Sequence, residues 1–306
     1  MQVVDSIPDL REVVNAWRCE GVRIAFVPTM GHLHQGHLSL IERARECSDR
    51  VVASVYVNPM QFDRIDDLSA YPRTLAEDIE RLQEAYVDLV FTPDDNTMYP
   101  GGHSNKTRIE VPGITDVLCG AHRPGHFVGV ATIVCKLFNM VQPDVAIFGE
   151  KDFQQLMVVR QMASDLDLPV EIVGAPTWRE GNGLAMSSRN SYLSAEEFDR
   201  AAVLYQLLCD CADDVIEGND NFAAIEARAC DILRNAQFDP DFVAIRRSVD
   251  LGLPEPGDQA ADLVVLVAAY LGSARLIDNV PIADYIRDGR MAVNPETSQS
   301  AYRSSH

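Results

Sequence analysis

Short apolar runs alternate with stretches of helical period through roughly the first 175 residues. Residues 22–28 (VRIAFVP) form an apolar run of strand length, followed by a glycine- and histidine-rich turn. Between 36 and 48, Leu38, Ile41 and Cys47, with the small Ala44, fall roughly on one helical face. Residues 51–57 (VVASVYV) predict a second strand. Pro72 suits the first turn of a helix, and Leu75, Ile79, Leu82 and Tyr86 then recur at helical spacing. Residues 87–91 predict a third strand that Pro93 ends. A glycine-punctuated segment from Pro124 leads into an apolar helix that reaches Val141 and stops at Pro143. A strand over 145–148, a helix over 151–166 and a strand over 170–173 complete the series. Strands alternating with helices predict an α/β fold, a Rossmann-like and mostly parallel sheet covered on both faces. Ligands of such sheets sit beyond the carboxyl ends of the strands.

The pattern changes after Trp178. Residues 179–191 are rich in Gly, Asn, Ser and Arg and read as a loop, ordered or mobile. Amphipathic helices are predicted over 195–217 and 221–235, then β-like stretches over 242–246, 263–271 and 274–280. The expected organisation is a Rossmann-like domain over 1–178, a smaller α+β domain over 179–285 and a flexible tail over 286–306.

Composition adds exclusions. With 26 basic against 46 acidic side chains the formal net charge is −20, a poor match for a phosphate polymer, so no nucleic acid partner is expected. No apolar run reaches the ~18 residues that span a bilayer. Met1-Gln2-Val3-Val4-Asp5 does not open a basic-then-apolar leader, so no membrane partner and a cytoplasmic location are expected. The seven cysteines are scattered without a C-x-x-C pair and read as free thiols.

The chemistry-bearing residues cluster just after predicted strands. In Met30-Gly31-His32-Leu33-His34-Gln35-Gly36-His37, Gly36 permits close approach to backbone and a helix N-terminus supplies N–H groups. His34 and His37, at i and i+3, can address the same oxyanions, so the turn suits a polyphosphate. Three histidines within six residues suit zinc as well, and a plain loop is a third reading. Asn58 and Gln61 offer neutral amides, suited to a small polyhydroxy acid without burial of further charge. Lys151 supplies a point charge for phosphate oxygens, and Asp152 stands where a helix N-cap would. Ser187, Ser188 and Arg189 set two hydroxyls and a guanidinium in one strip.

His34-Gln35-Gly36-His37 matches the H-x-G-H signature of the nucleotidylyltransferase superfamily. The longer string from Pro28 to His37 resembles the pantothenate synthetase family. So do Asn58-Pro59-Met60-Gln61-Phe62, Tyr71-Pro72-Arg73-Thr74, Arg123-Pro124-Gly125-His126-Phe127 and Gly149-Glu150-Lys151-Asp152. Gln154-Gln155, Met186-Ser187-Ser188-Arg189 and Ala274-Arg275-Leu276-Ile277-Asp278-Asn279 extend the likeness to roughly residue 285.

The resemblance implies ATP-dependent condensation of pantoate with β-alanine through a pantoyl adenylate, with AMP and pyrophosphate released. It implies ATP contacts at Met30, Gly31, His34, Gly36, His37, Gly149, Lys151, Asp152, Trp178 (through its backbone), Met186, Ser187, Ser188 and Arg189. Pantoate falls to Gln61 and Gln155, with Asn58 beside them and Arg123 near the mouth, and β-alanine to Gln61. His37 takes the role of protonated donor, assisted by His34 and Lys151, while His126 reads as structural. Mg²⁺ is expected to arrive on the ATP phosphates, without a site built wholly from protein. The family further implies a homodimer, a mobile loop over 186–189 and a C-terminal domain that acts as a lid. The rivals are a nucleotidylyltransferase that keeps the nucleotide in its product, a nucleotide sensor without catalysis, and a zinc protein.

Overall fold

A computed structural model describes residues 1–104 and 106–289. The chain forms two compact units, the first Met1–Pro176 and the second from Thr177 onward, two residues before the boundary read from the sequence.

The first unit is built on six strands: β1 (Gln2–Val4), β2 (Ile24–Thr29), β3 (Arg50–Val55), β4 (Leu89–Phe91), β5 (Val145–Gly149) and β6 (Glu171–Ala175). They pair in the order β1-β4-β3-β2-β5-β6, every pair parallel. Continuous apolar strands need both faces covered, and alternate side chains do this. Ile24 and Phe26 of β2 and Val52 of β3 enter a layer with the helices Ile7–Glu20, His126–Val141 and Phe153–Asp165. Ala25, Val27, Val51 and Ala53 enter the opposite layer with Gln35–Cys47 and Leu75–Glu84. After β2 the chain steps to β3 and β4, then returns to the other side of β2 as β5. The carboxyl ends of β2 and β5 therefore flank the switch point, where ligands of such sheets bind.

Several expectations are corrected. β1 and the helix Ile7–Glu20 were not read from the sequence: three residues show no period, and the helix is polar on most of its surface. Its end signals were nonetheless present, since Ser6 Oγ accepts the Asp9 N–H (3.2 Å) and Gly21 closes the helix at φ 75°. Pro72 does not open a helix; it lies between Ile65–Ala70 and Leu75–Glu84.

The second unit carries an antiparallel sheet, β7 (Asp239–Arg247), β8 (Leu263–Leu271) and β9 (Ala274–Pro281), with β8 central. Leu204, Leu208 and Ala212 of the helix Val203–Ile216 and Ile225, Ala229 and Leu233 of Phe222–Asn235 share a core with Val243, Ile245, Val265 and Val267. The helix predicted over 195–217 is broken at Ala202, and Ser194 and Glu197 form a capping box at its start. The helix Ile282–Arg287 extends beyond residue 285, where the tail was expected to begin. The remainder of that tail, 290–306, lies outside the described residues.

Candidate active site

The turn after β2 is held from behind. Gly31 has φ 81°, and a Cβ there would meet Asp78 Oδ2 at 2.8 Å and Val55 Cγ1 at 3.1 Å. The buried Asp78 carboxylate accepts the backbone N–H groups of His32 (2.9 Å) and Leu33 (2.7 Å) and the Thr74 hydroxyl (3.2 Å). One turn along the same helix, Arg81 donates to the Leu33 carbonyl (2.5 Å). A carboxylate and a guanidinium from Leu75–Glu84 thus pin the loop ahead of the histidines. Sequence reading took that helix for its apolar face alone.

His34 is the N-cap residue of Gln35–Cys47, and its ring lies 4.0 Å from that of His37, centroid to centroid. His37 Nδ1 accepts the His34 backbone N–H (3.3 Å), so a neutral His37 carries its proton on Nε2. His34 Nδ1 is buried with no hydrogen-bond partner among the described residues. Burial, then the Lys151 charge, then His32 pull the His34 pKa down to about 4 against a weaker opposing pull from Asp152. Burial, then His34, Lys151 and His32 hold His37 well below the usual histidine value. His37 keeps some solvent-accessible surface although it sits deep among protein atoms, the arrangement of a pocket floor. These surroundings hold both imidazoles towards the neutral form near pH 7. In its neutral form the His37 ring donates through Nε2–H.

Lys151 comes from the other side of the switch point, in the turn Glu150–Asp152 that follows β5 at Gly149. Its Nζ lies 3.7 Å from Asp152 Oδ2. Asp152 occupies the N-cap position of Phe153–Asp165, but its side chain makes no capping bond. It serves instead as a counter-charge beside Lys151 and His34.

The neutral amides divide into two kinds. Asn58 is buried and fully committed: Oδ1 accepts from Tyr99 Oη (2.8 Å) and the Met60 N–H (3.3 Å), while Nδ2 donates to the Gly129 carbonyl (3.1 Å) and Gln61 Oε1 (3.2 Å). Gln61 Nε2 donates to Met30 Sδ (2.9 Å), so the amide stands beside the glycine- and histidine-rich turn. Gly129 lets the turn Pro59–Gln61 lie on its helix, since a Cβ would come within 2.2 Å of the Met60 carbonyl oxygen. Arg123 donates to Asp63 Oδ1 (2.9 Å) and the Gln61 carbonyl (3.4 Å), and His126 Nδ1 donates to that same carbonyl (2.6 Å). Burial opposes ionisation of Asp63, but the Arg123 guanidinium outweighs it and holds the carboxyl below its ordinary value. Arg123 and Asn58 are braces for Gln61. Gln154 spans a loop, accepting the Cys119 N–H (3.0 Å) and donating to the Ile114 and Val117 carbonyls (2.8 Å each). Gln155 stands one position further along the helix with an amide uncommitted among the described residues.

In the second unit, residues 178–186 form a hairpin rather than an open loop. The Met186 N–H donates to the Trp178 carbonyl (2.9 Å), Glu180 N–H to Leu184 (2.8 Å), and Arg179 bridges Ala185. Arg179 forks onto the buried Asp278 (2.6 and 3.1 Å), donates to the Gly183 carbonyl (3.1 Å) and lies 3.6 Å over the Tyr205 ring. Ser187 Oγ accepts the Arg189 N–H (3.3 Å) at the start of the turn Ser188–Tyr192.

A family profile described as pantoate-beta-alanine ligase matches residues 2–281. The pantothenate synthetase of Thioalkalivibrio sulfidiphilus is 54% identical over 282 residues, 92% of this chain and 98% of that protein. That of Shewanella amazonensis is 56% identical over 281 residues, 92% and 99% of the two chains. Among solved structures, pantothenate synthetase from Thermus thermophilus superposes with a TM-score of 0.84 at 46% identity, covering 92% of this chain and 99% of that one. A pantoate-beta-alanine ligase from Francisella tularensis, complexed with beta-gamma ATP and beta-alanine, gives 0.78 at 32% identity, covering 92% and 98%.

Proposed function

The chain belongs to the pantoate–β-alanine ligase family, and on that premise we propose how its own residues divide the work of an ATP-dependent ligase that joins pantoate to β-alanine. The carrying observation is the meeting of His34, His37 and Lys151 at the β2/β5 switch point, beside the Gln61 amide. The pantoate carboxylate attacks the α-phosphorus of ATP, and the bond to pyrophosphate breaks. The amine of β-alanine then attacks the acyl carbon, an amide bond forms, and AMP leaves.

Lys151 places a full positive charge where charge grows on the departing pyrophosphate. His34 and His37 supply neutral N–H donors, which hold phosphate oxygens without adding repulsion to Lys151. Met30, Gly31, Gly36 and Gly149 line the same turns with backbone. Gln61 and Gln155 hold pantoate, and Gln61 also meets β-alanine. Asn58 and Arg123 act on pantoate through Gln61, which they fix. The Trp178 backbone and Met186, Ser187, Ser188 and Arg189 are assigned to ATP on family grounds; Arg189→Ala tests this through KM for ATP. Imidazoles and an ammonium suit phosphate oxygens better than a bare hard cation, so Mg²⁺ is assigned to ATP and not to a protein cage. Bound there, it neutralises the leaving pyrophosphate.

Labelled pyrophosphate should exchange into ATP when pantoate is present and β-alanine absent. Accumulation of ADP and phosphate in the full reaction would overturn attack at the α-phosphorus. No described helix is long and apolar enough to cross a membrane. A cytoplasmic homodimer that binds no nucleic acid is the family-based proposal, checked by light scattering on the purified chain and by fractionation.

A further inference from the structure

Gln61 faces its ligand with one end of an amide, and the fold decides which end. Its Oε1 accepts from Asn58 Nδ2 (3.2 Å) and one Nε2–H is directed to Met30 Sδ (2.9 Å), which leaves the second Nε2–H for a ligand. Asn58 cannot be turned over to reverse this. Its Nδ2 also meets the Gly129 carbonyl, which only accepts, and its Oδ1 meets the Met60 N–H, which only donates. Behind Asn58 stands the Tyr99 hydroxyl, donating to Oδ1 at 2.8 Å, the shortest bond of the set. Tyr99 is buried, with Lys136 Nζ 5.5 Å above its ring and the rings of Tyr56 and His103 at 6.4 and 6.2 Å. Burial, aided by the Asp95 charge, pushes its phenol well above the ordinary tyrosine range, which keeps the hydroxyl a donor.

We propose that Tyr99 is a positioning residue for pantoate selection: through Asn58 it locks the Gln61 amide with Oε1 turned to Asn58, so that the second Nε2–H is the hydrogen-bond donor offered to the acceptor oxygens of the acid. The polarity of one substrate contact is then set some 40 residues away from Gln61 in sequence, by a side chain that touches no substrate. This inference rests on the assignment of pantoate to Gln61.

Steady-state kinetics of four variants test it: Tyr99→Phe, Gln61→Ala, Gln61→Glu and the double variant Tyr99→Phe/Gln61→Ala. Tyr99→Phe keeps the ring and its packing and removes one buried hydrogen bond, so KM for pantoate should rise roughly five- to tenfold. KM for ATP should stay within about twofold, since the relay ends at Gln61. Gln61→Glu should be worse for pantoate than Gln61→Ala, because it replaces the outward donor by an acceptor. The double variant should be no worse than Gln61→Ala alone, because Tyr99 acts only through that amide. If Gln61→Ala raises KM for pantoate but Tyr99→Phe does not, or if the two effects multiply, the relay is overturned while the assignment of Gln61 stands. If Gln61→Ala leaves KM for pantoate unchanged, both fall. Circular dichroism and thermal melting of each variant show that the comparison is between folded proteins.

Discussion

Lys151 and the two histidines, proposed here to serve the same phosphates, stand in one another's field. Lys151 Nζ has the Asp152 carboxylate 3.7 Å away. Burial first, and the neighbouring Lys151 charge with it, hold the two imidazoles towards the neutral form. Loss of a preorganised electrostatic contact lowers rate by about 10²–10³. Lys151→Ala should therefore lose pyrophosphate exchange by that order, yet convert supplied pantoyl adenylate and β-alanine at a rate near the parent's. Equal loss in both half-reactions would mean that Lys151 positions the whole site. His34 gives a second expectation, on stability. Its folded pKa, about 4, lies below the unfolded 6.5, so between these values the unfolded chain binds the extra proton. The contribution is present above pH 6.5 and is lost as pH falls towards 4, by on the order of 3 kcal/mol in total. Urea unfolding of the parent and His34→Asn across that range should show the parent losing its advantage towards the acid end; parallel curves would remove His34 from the acid sensitivity of the fold.

At the scale of elements, local pattern announced what local pattern can decide. β2, β3, β5 and β8 stand out as apolar runs, and the H-x-G-H turn, the Glu150–Asp152 turn and the Gln154-Gln155 pair stand beside their strands. What went unread is made of pairs distant in sequence. Asp78 meets the turn at His32 and Leu33, Tyr99 meets Asn58, and Arg179 meets Asp278 across 99 positions. No spacing rule in a single sequence marks such pairings, because the partners lie far apart along the chain until the fold brings them together. The hairpin over 178–186 is the clearest case. Its Gly- and Asn-rich composition predicts a loop, but Leu184 and Ala185 are buried and the Arg179 fork ties its base to β9. Removal of one partner of a buried ion pair costs about 3–5 kcal/mol. Arg179→Ala should destabilise the second unit by that order and speed hydrogen exchange at the Glu180, Gly183 and Met186 amides, which are bonded within the hairpin. Exchange that is already fast in the parent, and unchanged in the variant, would mean that the hairpin is not held by this pair.

For the whole molecule, the sign of the charge sets up a contest that ionic strength can decide. A chain with formal net charge −20 must draw in ATP and pantoate, both anions, so the field far from the site opposes encounter. Close to the site Lys151 supplies a cation, with Asp152 Oδ2 3.7 Å away, and the histidines supply N–H donors. These two parts have different ranges. The Debye length shrinks from about 30 Å at 0.01 M salt to about 8 Å at 0.15 M, which removes repulsion from charges spread over the surface. A phosphate within contact distance of the largely buried Lys151 side chain is screened far less. Raising salt over that interval at fixed, saturating Mg²⁺ should therefore increase kcat/KM for pantoate and for ATP, by roughly two- to fivefold, a modest part of the steering range open to charged ligands. The effect should appear in kcat/KM and leave kcat nearly constant, because it concerns encounter and not the bonded complex. The slope should be steeper in Lys151→Ala, which keeps the distant repulsion and loses the local attraction. A fall in kcat/KM with salt in the parent enzyme would show that the local positive field reaches further than the acidic surface, and that the net charge is no guide to how this protein meets its substrates.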